Sequence, residues 1–161
     1  IHSIPGLENA NIVRYGVMHR NTFINSPQIL NQTLETKKRQ GLFFAGQITG
    51  TEGYTESIAT GMLAGINMAK RIQGEELVKL PLETILGALT FYITDIAHLE
   101  HISSRDGSLR YLPLQPTNSN WAIVSPIELP KNERKNKKLK TEKLSLRAID
   151  VLSEFVATGR L

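Results

Sequence analysis

The stretch from Leu42 to Ile72 restricts the architecture more than any other. Leu42-Phe43-Phe44-Ala45 is a four-residue apolar run bounded by Gly41 and Gly46. It predicts a short strand buried on both faces, as at the centre of a parallel sheet. A loop carrying Gly46, Gly50 and Gly53 follows, and Glu56 to Ile72 then has the periodicity of a helix. Strand, glycine-rich loop and helix in that order can cradle a phosphate or a dinucleotide. Glycine lets the backbone approach a ligand, and a helix N-terminus offers free N–H groups and a partial positive charge. The spacing is not G-x-G-x-x-G, and no Lys-Ser or Lys-Thr follows as in a Walker A loop. The residues alone leave two readings open: a site for an anion or electron-poor ring, or an ordinary glycine-rich connection.

Within the expected helix, Gly61, Ala64, Gly65 and Met68 recur at i, i+3, i+4 and i+7. One face is therefore nearly without bulk, suited either to a flat ligand or to close packing on a sheet. Two glycines in a helix interior cost about 1 kcal/mol each relative to alanine, so the space they leave has a use. Gln73-Gly74-Glu75 ends this helix, and Pro81 opens a second one running to about Thr94. Residues 1 to about 40 read as loops and short strands, with a short helix or turn at Gln28–Leu34 after Pro27. Residues 95 to 130 hold Pro113, Pro116, Pro126 and Pro130 and read as irregular. A last amphipathic helix carries Leu144, Ala148, Val151, Leu152 and Phe155 and stops at Gly159.

With 161 residues, one compact domain is expected. No apolar run approaches the ~18 residues of a membrane span, and a cytoplasmic protein without a membrane partner is expected. The chain opens Ile1-His2-Ser3 without an initiator methionine or a secretory pattern, and reads as part of a longer polypeptide. Cysteine is absent, which excludes disulfides, thiolate nucleophiles and thiolate-held metals within these residues. No catalytic residue and no metal site is expected here.

The positive charge is concentrated. Between Lys131 and Lys143 there are seven basic and two acidic residues, against twelve basic and thirteen acidic elsewhere. Such a run is either a solvated loop or a patch that draws a polyanion, with Lys135, Lys137 and Lys138 as candidate RNA contacts.

Leu42-Phe43-Phe44-Ala45-Gly46-Gln47-Ile48-Thr49-Gly50-Thr51-Glu52-Gly53-Tyr54-Thr55-Glu56-Ser57, continuing through Gly61-Met62-Leu63-Ala64-Gly65-Ile66-Asn67, closely resembles the second flavin-contacting segment of the bacterial folate-dependent tRNA uracil methyltransferases. Ile4-Pro5-Gly6-Leu7-Glu8-Asn9 is similar to the same family. So are Arg14-Tyr15-Gly16-Val17-Met18-His19-Arg20-Asn21-Thr22 with Ile24-Asn25-Ser26-Pro27, and Leu86-Gly87-Ala88-Leu89 with Tyr92-Ile93-Thr94. The likeness covers most of residues 4–125. The glucose-inhibited division protein of the wobble-uridine pathway shares the strand and Gly-Gln loop. It differs after the shared glycines and lacks the Met18-His19-Arg20-Asn21 run.

The resemblance implies an α/β fold, part of an FAD-binding Rossmann-like domain of the glutathione-reductase type, with additional helices and an irregular, basic C-terminal segment. Residues 1–40 would return from a substrate region to the FAD domain, 41–130 would be the C-terminal part of that domain, and 131–161 a basic linker with the last helix. It further implies transfer of a one-carbon unit from methylenetetrahydrofolate to carbon 5 of a T-loop uridine in tRNA, with FAD and NAD(P)H as cofactors. A missing N-terminal half would bring the G-x-G-x-x-G motif and the catalytic cysteines. Gly46, Gln47, Ile48, Thr49, Gly50, Gly53, Tyr54 and Ser57 would line the flavin, Gly46 and Gln47 beside the ribityl-pyrophosphate and Gly53 and Tyr54 near the isoalloxazine. Tyr54 either stacks on flavin or folate or covers the helix start.

His19, Arg20 and Asn21 would meet the folate glutamate or an RNA phosphate, or serve as structural hydrogen-bonding groups. Asn118 and Asn120 match a family Pro-Met-Asn-x-Asn element, with Thr117 in place of methionine. Trp121-Ala122-Ile123-Val124-Ser125-Pro126 replaces a Phe-Gly-containing stretch. That drift makes a ribosomal RNA substrate one alternative, and the wobble-uridine flavoprotein is the other.

Overall fold

A computed structural model of the chain describes residues 2–11, 13, 21–95 and 114–161. Its helices are α1 (Ser26–Ile29), α2 (Tyr54–Gln73), α3 (Ile85–Thr94) and α4 (Lys137–Ala157), with a 3-10 turn at Gly46–Thr49. Pairing between extended segments is confined, among the described residues, to isolated bridges: Leu30 with Thr36 and Glu35 with Phe43, both antiparallel, and Thr51 with Thr117, parallel. The regular structure of the described residues is thus mostly helical where an α/β sheet was expected. Leu42–Ala45 does not form a parallel strand buried on both faces: Phe43 pairs with Glu35 in an antiparallel bridge, and Leu42 is 36% exposed. A parallel strand is stable only with neighbours along its edges and layers over both faces, and the described residues supply neither.

Helix α2 is the axis on which the rest is assembled. It starts after Gly53 and stops at Gly74, whose φ of 74° lets the following turn satisfy the last carbonyls: Glu75 N donates to Lys70 O at 2.9 Å. Lys70 and Arg71 in its last turn suit the negative end of the helix dipole. Leu63 and Ala64 enter a core with Leu34, Val78, Leu80, Leu89 and Ile93. Gly61 and Gly65 point elsewhere; a Cβ on either would meet no heavy atom within 4 Å. The face with little bulk is therefore divided: Ala64 packs into the core, and the Gly61 and Gly65 positions are open.

Between the core residues of α2 lies a polar brace. Asn67 is fully buried, and its Nδ2 donates to Thr33 O at 3.0 Å and to Val78 O at 3.1 Å, while Val78 N donates to Asn67 Oδ1 at 2.7 Å. A buried amide left without partners costs about 1–3 kcal/mol per unpaired group, and here both ends of the carboxamide are used. Glu35, also buried, accepts from Arg71 Nε at 2.8 Å and Nη2 at 2.5 Å, a two-point contact that ties the 30–43 segment to the end of α2. The turn between these anchors places Leu34 at φ 67°, an uncommon conformation for a non-glycine residue, with its side chain wholly inside the core.

Helix α3 begins at Ile85, four residues later than Pro81. The reason is a local cap: Thr84 Oγ1 accepts from Gly87 N at 3.1 Å, and Pro81 sits in the preceding turn, where Thr84 N donates to its carbonyl at 3.0 Å. A Cβ on Gly87 would lie 2.0 Å from Pro81 O, so only glycine fits there. The short α1 likewise ends at Ile29, and residues 30–36 turn back on themselves through the Leu30–Thr36 bridge.

Helix α4 begins inside the lysine run, so the basic segment is irregular only as far as Asn136, whose side chain accepts from Leu139 N. Leu144 is buried against Ala88 and Val124 in a second cluster, with Ile85, Trp121, Ile123 and Ile127 around it. Arg147 donates to the carbonyls of Ser125 and Pro126. Outward, Leu146 and Ile149 are 57% and 62% exposed, so α4 is apolar on more than its packed side. No helix among the described residues is long and apolar enough to cross a membrane.

Candidate functional site

The glycine loop is fixed at its two ends and from beneath, with Gln47, Ile48, Glu52 and Gly53 left exposed. Gly46, Gly50 and Gly53 have φ of 72°, 84° and 100°, values that L side chains rarely adopt. Gly46 N donates to Thr60 Oγ1 at 3.0 Å, joining the loop to the second turn of α2. Thr49 Oγ1 donates to Gly46 O at 2.7 Å and lies 3.1 Å from Thr51 Oγ1, and both threonines are buried. On the other side Ile24 N donates to Ile48 O at 2.8 Å and Ser26 Oγ to Thr49 O at 2.8 Å. The loop is held from beneath by hydroxyls and main chain, with Gly46, Thr49, Gly50 and Thr51 buried and Gln47, Ile48, Glu52 and Gly53 exposed.

Of the residues assigned to the flavin from the sequence, Gln47, Ile48, Gly53 and Tyr54 are exposed, Tyr54 by 89%. Gly46 and Gly50 are buried, and Thr49 spends its hydroxyl inside the loop. Ser57 Oγ donates to Gly53 O at 2.8 Å, so this side chain stabilises the helix start. A cleft of about 560 Å³, lined by Lys70, Glu76, Phe155 and Arg160 among others, lies at the far end of α2. The glycine loop lines none of it and presents an open surface.

A second segment joins this surface. Thr117 N donates to Gly50 O at 3.0 Å and Glu52 N to Thr117 O at 2.8 Å, which forms the parallel bridge between Thr51 and Thr117. Asn118 and Asn120 are thereby brought beside the loop. Asn118 is exposed; Asn120 Nδ2 donates to Asn118 O at 3.1 Å and its Oδ1 accepts from Ala122 N at 2.9 Å. Asn21 is exposed at the start of the segment that docks through Ile24. His19 and Arg20 lie outside the described residues. Lys135 precedes α4, and Lys137 and Lys138 occupy its first turn, all exposed. The departure at 121–126 also has a structural role, because Trp121, Ile123 and Val124 pack into the Leu144 cluster.

Sequence reading passed over Glu56. It stands three residues after Gly53, the spacing at which a glutamate folds back over a helix start. Its Oε1 accepts from Ser119 N at 3.0 Å and from Ser119 Oγ. The Ser119 hydroxyl, then the Glu56 and Ser119 backbone amides, hold its carboxyl below the usual glutamate range. Nothing local announced Ser119 as the partner of Glu56 or Thr60 as the partner of Gly46.

The family model described as Glucose inhibited division protein A matches residues 1–76, which contain the whole glycine loop and α2. The methylenetetrahydrofolate–tRNA-(uracil-5-)-methyltransferase TrmFO of Brevibacillus brevis is 53% identical over 152 residues, covering 94% of this chain and 31% of that protein. The chain belongs to this TrmFO- and GidA-related family. The TrmFO of Exiguobacterium sp. is 50% identical over 96% of the chain and 32% of its own length, and that of Natranaerobius thermophilus 49% over 95% and 31%. The chain thus spans about a third of the length of the TrmFO relatives it matches. A solved structure of Aquifex aeolicus GidA aligns with 42% of the chain and 11% of its own, at 45% identity and a TM-score of 0.41.

Two carboxylates fix this family segment, and both titrate low. Glu35 is held below its ordinary value of 4.5 by the Arg71 fork, against the opposing effect of burial, and Glu56 is lowered as described. A carboxyl whose folded pKa is depressed stabilises above its unfolded value and loses that contribution as pH falls through the folded one. Denaturation midpoints should therefore drop as pH falls below 4.5, and Glu35→Gln should lower the midpoint at pH 7 while reducing the acid-induced drop. An equal acid-induced drop in Glu35→Gln and the parent chain would remove Glu35 from this account.

Proposed function

We propose that the chain is the C-terminal part of a cytoplasmic flavoenzyme that methylates carbon 5 of a uridine in tRNA, with methylenetetrahydrofolate as one-carbon donor and NAD(P)H as reductant. One observation carries the reading: on a loop whose three glycines take positive φ, Gln47, Ile48 and Gly53 stay exposed and lead into the start of α2, with Tyr54 89% exposed beside them. An exposed edge of this kind beside a helix N-terminus can take a dinucleotide's phosphates and a flat ring. The names of the relatives support it, for they describe folate-dependent transfer to tRNA uracil.

On this reading residues 41–130 belong to an FAD-binding domain of Rossmann type, with 1–40 leading into it and 131–161 following. The open faces of α2 and of Leu42–Ala45 leave room for the parallel sheet this fold class calls for. Gly46, Gln47, Ile48, Thr49, Gly50, Gly53, Tyr54 and Ser57 form one wall for the FAD. When bound, the flavin relays electrons from NAD(P)H to the transferred carbon. The amide groups opening α2 favour negative charge at the ring edge next to them. Tyr54 offers a ring face for stacking, and Thr60 and Thr49 keep the loop from shifting. His19, Arg20, Asn21, Asn118 and Asn120 are assigned to the folate and RNA side. This chain brings no cysteine, and nucleophilic groups come from the remainder of the polypeptide.

A second reading rests on the family match to Glucose inhibited division protein A: a part of the wobble-uridine flavoprotein, which would depend on a GTPase partner. A ribosomal RNA target within the same methyltransferase family is the third. Assay of a polypeptide that joins this chain to the remainder of the family's length, with FAD, NADH and methylenetetrahydrofolate, is expected to yield 5-methyluridine in tRNA without a GTPase. Absence of transfer to tRNA would overturn the proposal, and transfer to ribosomal RNA alone would move it to the third reading.

The RNA assignment of Lys135, Lys137 and Lys138 has an independent electrostatic basis. The first turn of α4 holds no acidic residue, and its lysines face the positive end of the helix dipole, an arrangement that costs a few tenths of a kcal/mol per residue. A polyanion at that end offsets the repulsion. Replacing all three by alanine should reduce the slope of log affinity for tRNA against log salt by roughly 2–3; an unaltered slope would return the segment to a solvated surface.

A further inference from the structure

The segment that carries Asn118 and Asn120 runs between buried Leu114 and the Trp121–Val124 packing, and two polar contacts anchor it beside the glycine loop. One is main chain: the paired hydrogen bonds of Thr117 with Gly50 and Glu52, at 3.0 and 2.8 Å. The other is a single carboxylate oxygen, Glu56 Oε1, which accepts from both the amide and the hydroxyl of Ser119. Asn118 lies between these anchors and Asn120 immediately beyond the second. Between the bridge at Thr117 and the packing of Trp121, Ile123 and Val124 in the Leu144 cluster, the Glu56 contact is what ties Ser119 to α2. It comes from the first turn of the helix, the same turn that opens the proposed flavin wall.

The geometry of the loop is matched to this contact. Glu56 Oε2 reaches back over Gly53 so closely that a Cβ on Gly53 would lie 2.1 Å from it. The absence of a side chain at 53 thus leaves room for the glutamate. Reach matters too: the carboxylate spans from the helix to a residue 63 positions away in sequence, and a side chain one methylene shorter falls short of it. A hydrogen bond to a charged acceptor is among the stronger single contacts available at a half-exposed site.

We propose that Glu56 is a positioning residue: its carboxylate latches Ser119 to the start of α2 and so holds Asn118 and Asn120 at a fixed place beside the glycine loop. This rests on the reading of that loop as a flavin wall with the folate next to it. Glu56 itself touches neither ligand; it acts through the asparagines. Opening the latch weakens binding of the folate while leaving the flavin wall, which is braced separately by Thr60 and Thr49, in place.

Amide exchange followed by NMR on the 161-residue chain tests the latch without any ligand. In Glu56→Asp, which keeps the charge at the helix start, the Ser119 amide should exchange about tenfold faster, with amides in the middle of α2 unchanged. Glu56→Gln, which keeps both the reach and an acceptor oxygen, should restore most of the protection. Ser119→Ala, which leaves the helix untouched, should give a smaller rise at residues 118–120. Unaltered exchange in both Glu56→Asp and Ser119→Ala overturns the latch.

In the polypeptide of full family length, Glu56→Asp should raise KM for methylenetetrahydrofolate severalfold, with kcat and FAD content changed less, and Glu56→Gln should recover KM. Faster exchange with an unmoved KM overturns the positioning role. A parent enzyme that transfers no methyl group refutes the proposed function instead, and the exchange result still decides the latch.

Discussion

A buried carboxamide sets the frame on which the glycine loop depends. Asn67 binds Thr33 on one side of α2 and Val78 on the other, with no exposure to solvent. Unpaired, these groups would cost several kcal/mol together, so α2 is held in one register against the segments before and after it. Seven residues earlier, on the same helix face, the buried Thr60 hydroxyl takes the Gly46 amide. Two polar side chains at i and i+7, with Leu63 and Ala64 between them, thus fix both the helix and the start of the loop. The remaining loop geometry follows, because Thr49 and Thr51 close it internally and Ile24 and Ser26 close it from the side.

That frame explains how the exposed edge of the loop, at Gln47, Ile48 and Gly53, is kept in place. A stretch of backbone with three glycines at positive φ has few contacts of its own to keep it in place, and glycine has more conformational freedom to lose than any other residue. Here the order comes from hydroxyls beneath and main chain beside it, with Gly46 and Gly50 buried and Gln47, Ile48 and Gly53 exposed. Helix α2 then contributes the opening of its dipole, and Glu56 ties in the Ser119 segment. Chain regions far apart in sequence converge at one place, and the convergence depends on side chains that touch no ligand.

The sequence was legible where local rules decide the outcome. Glycines at 53 and 74 bracket α2, and the observed bounds Tyr54–Gln73 lie close to the expected Glu56–Ile72. The last helix was expected from the spacing of Leu144, Ala148, Val151 and Phe155, and it ends just before Gly159. It was not expected to start within the lysines, because a run of like charge hides the helical pattern beneath it. The strand at Leu42–Ala45 failed for another reason: an apolar run states that burial is wanted, but the partners that provide it are non-local, and here Phe43 meets Glu35. Proline at 81 was placed too near the helix, since Thr84 is the better cap. The Glu56–Ser119 contact joins residues 63 apart and has no local signature beyond a glutamate at the right distance from a glycine.

The central claim is that the backbone from Gly46 to Gly53 and the opening of α2 form a resting place for FAD. A crystal structure with FAD bound, of a polypeptide in which this chain continues into the remainder of the family's length, tests it most directly. The account predicts the pyrophosphate and ribityl chain along Gly46 and Gln47 and the isoalloxazine beside Gly53 and Tyr54. FAD seated elsewhere, with residues 46–53 packed only against protein, would contradict it.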